Sequence, residues 1–468
     1  MAAPSTDGSG SIWQPYRPPA PLPRARRLGP LRLIPALKRN PLECWATEHF
    51  VRPLIVGGLP VGHVVLVNDP DAIRRVLLDN ASNYRKDRLQ RRVLSAGLGE
   101  GLLSAEDDAW RNQRRTFAPL FSRRMVAQFA PAMLQAAYAL VERWRCQDGA
   151  TLDVAAEMAR LTLDVLERTI FSDGFGCKAE EVRPAMVTYF ETIGRIDPLD
   201  LLGLPTWVPR VSHLRVRSVL RFFERIIDEL IATKRRRLIE QPDGAPQDLL
   251  TLMLAAVDPG TGEHMSEAEV RSNVLTFIMA GHETTANLLS WSLFLLSEAH
   301  DWRQRVRAEA DREIGSGSVH DLAERLPHAR AAIDEAARLY PPIAAISRVA
   351  IESDKLAGEA IPRGTLVVIA PYVLHRHRML WSDPDVFDPT RFLGDRRSRI
   401  GRYSYLPFGA GPRTCIGSAF ALQEATVVLA TIIRSFSMRV APGHSVWPLL
   451  RVTLRPAGGL PMKIKSDR

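Results

Sequence analysis

The stretch Phe408-Gly-Ala-Gly-Pro-Arg-Thr-Cys-Ile-Gly417 decides how the rest of the chain is read. It holds one cysteine, Cys415, with Arg413 two residues before it, Gly411 four before, Phe408 seven before and Gly417 two after. Phe420, Ala421, Val427, Val428, Ile432 and Ile433 then recur at helical spacing, so a helix follows the loop. Free N–H groups and the dipole at a helix start favour a thiolate over a thiol. Glycines on both sides let backbone N–H groups approach the sulfur. Such a sulfur suits a single bond to a soft metal. A lone cysteine is by default a buried structural residue or a nucleophile. A nucleophile needs a base; the loop supplies none, and a histidine distant in sequence stays open for that part. Phe408 can shield one face of the sulfur, and Arg413 can pair with an anionic group beside a metal.

The 468 residues are 46% apolar and 24% charged, enough for a sizeable core in one large domain or in two or three. Lys and Arg number 62 against 52 Asp and Glu, a net +10, and only seven of the cations are lysine. An excess of that size admits nucleic acid, an anionic membrane or an acidic protein as partner. The four cysteines, Cys44, Cys146, Cys177 and Cys415, form no C-x-x-C pair, which argues against a zinc site or a disulfide framework and for a reducing cytoplasm. The N-terminus lacks the basic and apolar regions of a signal peptide. The most apolar run, Val274 to Leu296, carries His282 and Glu283 near its centre, where lipid would penalise a charge. A soluble chain without a membrane anchor is expected.

Residues 1–40 are rich in proline and arginine and are expected to be extended, with a single domain over 41–468. Leu54 to Val67 alternates as strands around a glycine-rich turn, and Asp69 caps a helix. Arg85 to Asp108 is a long irregular segment. Trp110 and Arg114 share one face of the next helix. Residues 125–240 are mostly amphipathic helix, interrupted by the apolar, proline-rich Asp197 to Pro209. The longest and most apolar helix runs from about Ser266 to Ser297, and Pro327 and Pro341 bracket another. Ile346 to Val373 has strand character with turns at Gly358 and Pro362-Arg-Gly, and Asp383 to Tyr405 is an irregular meander. The class is mainly α with a minor β region, an α+β chain without repeats or linkers.

Two further clusters stand out. Ala280-Gly-His-Glu-Thr-Thr285 lies mid-way along the apolar helix. Threonines in helices bond back to carbonyls, and a lone glutamate usually faces solvent. A glycine and an acid–alcohol pair inside an apolar helix nonetheless cost propensity and solvation, which marks Glu283 and Thr284 as functional candidates. His282 reads as a packing or surface residue. Glu335 and Arg338 form an E-x-x-R pair that recurs at Glu142/Arg145, Glu180/Arg183 and Glu309/Arg312, where it reads as surface ion pairs. Its position singles it out, just ahead of Leu339-Tyr-Pro-Pro342 and with Arg338 77 residues before Cys415.

The pattern Phe408-x-x-Gly411-x-Arg413-x-Cys415-x-Gly417 resembles the haem-ligand signature of the cytochrome P-450 family of haem-thiolate monooxygenases. The resemblance extends from about Pro41 to Lys465. It implies a single-domain P-450 fold with haem b (iron protoporphyrin IX) between the long distal helix and the Cys-loop helix. Cys415 would be the axial thiolate of the iron, with Phe408, Gly409, Arg413 and Gly417 around it. Glu283 would relay protons and Thr284 would hydrogen-bond dioxygen. Ala280 and Gly281 would leave room for O2 and substrate, with the helix opening at Gly281. Trp110, Arg114, Arg348 and Arg413 would bind the haem propionates. Glu335, Arg338 and Arg391 would form a structural triad, with Thr390 standing where the family usually has glutamate. Asp197–Pro209 would be an access lid, Arg85–Asp108 a pocket loop, and Ile343–Ile346 the wall beside the haem edge.

The implied reaction inserts one oxygen atom of O2 into a lipophilic molecule such as a fatty acid or a terpenoid. Electrons would come from a separate ferredoxin or flavodoxin with its reductase. Arg111, Arg115, Arg123, Arg124, Arg376 and Arg378 would form its basic docking face, and a monomer with no nucleic-acid role is expected. Two other readings remain: a peroxide-using or rearranging haem-thiolate enzyme, and a non-catalytic haem sensor.

Overall fold

A 32-residue helix, Glu267–Glu298, runs through the middle of the protein. It opens with a capping box: the Ser266 hydroxyl accepts from the Glu269 N–H at 3.3 Å, and the Glu269 carboxylate accepts from the Ser266 N–H at 3.0 Å. Val274, Ile278, Leu289, Trp291, Leu293 and Leu295 are buried on all its sides, as expected of a helix that is apolar all round. The computed structural model describes residues 16–59, 62–87, 90, 99–172, 181–182, 184–186, 188–189, 211–240 and 248–467. The expected lid at Asp197–Pro209, Cys177 and the Glu180/Arg183 pair lie outside them.

The longer helices in chain order are α1 (Pro30–Arg39), α2 (Asp107–Phe117), α3 (Ala130–Arg145), α4 (Val154–Leu166), α5 (Val211–Glu240), α6 (Leu249–Ala255), the central α7 (Glu267–Glu298), α8 (His300–Glu313), α9 (Pro327–Leu339) and α10 (Ser418–Ser435). Helices α4, α5, α9 and α10 pack around α7. Trp291 of α7 stacks on Tyr340 at the end of α9, ring centroids 3.9 Å apart, a contact worth about 0.5–1.5 kcal/mol beyond its burial. A five-stranded sheet lies to one side, in the order β1 (Leu54–Leu59), β2 (Gly62–Val67), β8 (Leu366–Ile369), β5 (Ile346–Ala350), β3 (Tyr84–Arg85). Only the β2–β8 pair in it is parallel. Arg348 sits on β5 opposite Val367. A hairpin of β10 (Pro448–Leu450) and β11 (Leu454–Pro456) reaches α7 from the C-terminal end of the chain.

Residues 30–40 depart from the expected extended lead-in. The chain is without helix from Tyr16 to Gly29 but helical over Pro30–Arg39. Pro30 takes the first helical position, where a missing N–H costs nothing, and Lys38 and Arg39 complement the dipole at the other end. The lead-in is also tied down: Phe387 N donates to Tyr16 O at 2.9 Å, and the Tyr340 hydroxyl donates to Pro19 O at 2.7 Å.

Arg338 and Glu335 are both fully buried. Arg338 spends all five N–H donors: Glu335 takes two at 2.6 and 2.7 Å, and the carbonyls of His375, Pro384 and Val386 take the others at 2.7–2.9 Å. Arg391 approaches the same Glu335 carboxylate at 3.6 Å. His375, pushed down to about 3 by burial and then by Arg338, is neutral and accepts from Leu406 N at 2.8 Å. The triad thereby braces the meander that delivers the cysteine loop. Its role is structural.

Candidate active site

The loop before α10 is shaped by two glycines with left-handed backbone, Gly409 (φ +70°) and Gly411 (φ +71°). A Cβ on Gly411 would lie 1.7 Å from Leu77 O, so no other residue fits there. Arg413 ends a short turn, and Cys415 N donates back to Phe408 O at 2.9 Å. Gly417 caps α10. The surface of Cys415 is accessible although protein crowds it at short range. Burial pushes the Cys415 thiol up, while the Gly417 N–H and the Arg114 guanidinium pull it down. The net direction is upward, so the helix start does not by itself hold a thiolate, contrary to expectation. A metal cation bonded to the sulfur would supply what is missing.

Beside the loop lies a cluster of cations. The Arg413 guanidinium sits 4.3 Å from the Trp110 ring centroid, donates to Ala105 O at 3.1 Å and pairs with Glu106. Lys86 is buried, donates to Ala105 O at 3.2 Å and lies 3.3 Å from Glu106. Burial, then the nearby Arg413, pushes Arg348 down to about 10 and Lys86 down to about 8. Burial also lowers Arg114, which feels the Cys415 sulfur. Neither Lys86 nor Glu106 was singled out from sequence. A buried lysine beside a strand end looks like any solvated one until the fold closes over it.

The distal wall is α7. Phe277 meets Phe117 and Phe121 edge-on at 5.6 and 5.1 Å, and Asn273 donates to Gln113 of α2 at 3.2 Å. Helix α2 therefore touches the cysteine loop through Trp110 and the central helix through Gln113. Residues 273–279 are buried, whereas Ala280 is exposed and Gly281, Glu283 and Thr284 are partly so. The Thr284 hydroxyl donates to Ala280 O at 2.6 Å. Burial raises Glu283 above the usual carboxyl range, against the Thr453 hydroxyl and Arg455. Two expectations change. The helix is unbroken through Gly281, and a Cβ there would meet Leu166 of α4 at 3.2 Å. Gly281 thus serves close packing of α4 on α7, and Ala280 is the residue that borders open space. His282 is buried, a packing residue.

The basic face also changes. Arg111 pairs with Asp108 at 2.8 Å, Arg115 with both oxygens of Asp258 at 2.6 Å, and Arg378 with Asp385 at 3.2 Å. Arg376 is 4% exposed and lies over the rings of Tyr372 and Tyr340, so it cannot touch a partner. Arg123 and Arg124 remain exposed, without an ion pair among the described residues. Ile346 and Gly409 are neighbours, since a Cβ on Gly409 would lie 3.7 Å from Ile346 Cδ1.

The donor set fits haem. Among the described residues no group of three or more His, Cys, Asp or Glu side chains could hold a metal, so Cys415 suits an ion that brings its other ligands with it. Lys86, Arg114, Arg348 and Arg413 carry four positive charges against Asp87 and Glu106, a surplus of two. The two propionates of a haem match that surplus. Fold and site together define a haem-thiolate protein. A family model for cytochrome P450 matches residues 32–463. Cyclooctatin synthase of Streptomyces melanosporofaciens is 33% identical over 429 residues, 91% of each chain. Cyclooctat-9-en-7-ol 5-monooxygenase of the same organism is 33% identical over 415 residues, 88% of each. The crystal structure of the cytochrome P450DA heme domain matches with a TM-score of 0.83 at 25% identity, over 96% of this chain and 98% of that one. The chain belongs to the cytochrome P450 family. No helix among the described residues is long and apolar enough to cross a membrane.

Proposed function

We propose that this cytochrome P450 monooxygenase hydroxylates a lipophilic alicyclic molecule, using haem b bonded to Cys415 and electrons from a separate ferredoxin- or flavodoxin-type protein. The substrate class rests on the cyclooctat-9-en-7-ol named for one relative and on the apolar wall around Ala280. The donor would dock at Arg123 and Arg124. Cysteines without paired spacing suit a reducing cytoplasm. The enzyme acts as a monomer.

When bound, the haem supplies the redox chemistry that activates dioxygen. The chain supplies position, dryness and protons. Lys86, Arg114, Arg348 and Arg413 hold the propionates, and Trp110 backs Arg413. Glu283, raised by burial, keeps a proton at pH values where an ordinary carboxyl has lost it. Thr284 lies one residue further along the helix, and its hydroxyl, now donated to Ala280 O, can turn its proton towards the pocket. The observation that carries the reading is the acid–alcohol pair on the accessible stretch of an otherwise buried helix. Thr284→Ala tests it: hydroxylated product per electron pair should fall several-fold while hydrogen peroxide rises. Unchanged coupling would remove Thr284 from this role. The same pair favours this reading over a peroxide-using enzyme, which has no need of a proton relay.

A further inference from the structure

We propose that Thr453, held in place by Asn287, is a positioning residue that orients the Glu283 carboxyl. The proposal rests on the role given to Glu283 above and adds a residue 170 positions away in sequence. Glu283 and Asn287 stand one turn apart on the same face of α7. Asn287 Nδ2 donates to Thr453 Oγ1 at 3.0 Å. Both residues are buried, at 6% and 2% exposure. A threonine hydroxyl has one hydrogen, and with Asn287 on its lone pair that hydrogen is free for another acceptor. Glu283 is that neighbour: Thr453 and Arg455 both favour its charged form. Glu283 Oε2 is buried without a hydrogen-bond partner, so Thr453 acts on the other oxygen and leaves Oε2 to exchange protons.

The turn that carries Thr453 is itself fixed. Trp291 Nε1 donates to Leu454 O at 3.0 Å, Leu454 N to Pro342 O at 2.9 Å, and Arg451 N to Thr453 O at 3.1 Å. The hairpin therefore presents its hydroxyl to α7 from a rigid mount. Arg455 is the charged group acting on Glu283; Thr453, Asn287 and Thr284 around it are uncharged.

The test is an infrared titration of the holoenzyme, with the Glu283 carboxyl band assigned by its loss in Glu283→Gln. Removing a hydrogen bond to a carboxylate should raise the midpoint in Thr453→Val by about one to two pH units. Thr453→Ser should restore it, and Asn287→Leu, which frees the hydroxyl to rotate, should shift it part of the way. An unshifted midpoint in Thr453→Val overturns the proposal, as does a serine variant that titrates like the valine one. If Thr453→Val does not fold, an unshifted Asn287→Leu overturns it alone. The band reports the Thr453–Glu283 coupling whatever Glu283 does in turnover. Failure of the relay itself would show separately, as unchanged coupling in Glu283→Gln.

Discussion

Gly411 and Gly409 form a matched pair for testing how the cysteine loop is held. Their φ angles are +71° and +70°. Alanine in that region costs about 1–2 kcal/mol from its own backbone. At position 409 that is the whole effect, because the nearest atom to a new Cβ is 3.7 Å away. At 411 the Cβ would stand 1.7 Å from Leu77 O, whereas ordinary contact begins at 3.4 Å, so the two segments must part by 3.4 − 1.7 = 1.7 Å. The obstacle is backbone, which has no rotamer to escape into. Overpacking of this kind adds about 1–3 kcal/mol, giving a total of about 2–5 kcal/mol for Gly411→Ala. Against a whole stability of about 5–15 kcal/mol, that loosens the segment carrying Arg413 and Cys415. Haem content, read as the ratio of Soret to protein absorbance, and the denaturation midpoint should be measured on both variants. Gly409→Ala should load haem almost fully; Gly411→Ala should lose most of it. Equal loading and equal midpoints would refute the account of the loop.

Arg338→Lys leaves three donors where five are used, in a site with no water, and should cost about 3–5 kcal/mol in chemical denaturation. A preserved midpoint would mean the triad is not a brace. Charge reversal at both Arg123 and Arg124 should slow reduction by the electron donor and flatten its dependence on ionic strength, while Arg115→Ala, already neutralised by Asp258, should change neither. Glu424, on α10, is buried with Oε1 unpartnered, and burial raises it well above its ordinary 4.5. The folded state then holds a proton the unfolded state has released. Its contribution is complete below about 4.5 and is lost as pH rises through the raised value. Glu424→Gln should therefore gain stability over the parent as pH increases. Parallel melting curves across the alkaline range would show that Glu424 is not the proton holder.

What could be read from the chain was local. The cysteine loop, α7 and the pair Glu335/Arg338 depend on spacings within about ten residues and on flanking prolines and glycines, and each stands where its pattern put it. The surprises involve partners distant in sequence. Gly281 looked like room for a ligand because smallness does not say which face of a helix meets another; Leu166 of α4 decides that. Arg376 looked like a surface cation, although Tyr372 one turn before it on a short helix hinted at a ring to lie on. Helix α1 was hidden by Pro30 and Pro35, residues that punctuate loops more often than helices. The partners Thr453 and Asn287 are 166 residues apart, beyond any spacing rule.

The two buried arginine clusters separate scaffold from site on physical grounds. Around Arg338 every donor has an acceptor inside the protein, and Glu335 matches the charge, so nothing further is needed from outside. Around Arg413 the balance does not close: four cations face two carboxylates, and burial holds Arg348 at about 10 and Lys86 at about 8, below their ordinary values. A lowered pKa on a buried cation means that its charge is unwelcome where it stands, and a bound dianion removes that penalty. Since the dianion binds the folded pocket and not the unfolded chain, its affinity adds to the stability of the same loops that hold it. Closed clusters brace a fold; an open one, placed beside an accessible thiol, is a binding site waiting on its charge. That asymmetry, more than any single arginine in the sequence, marks where the haem belongs.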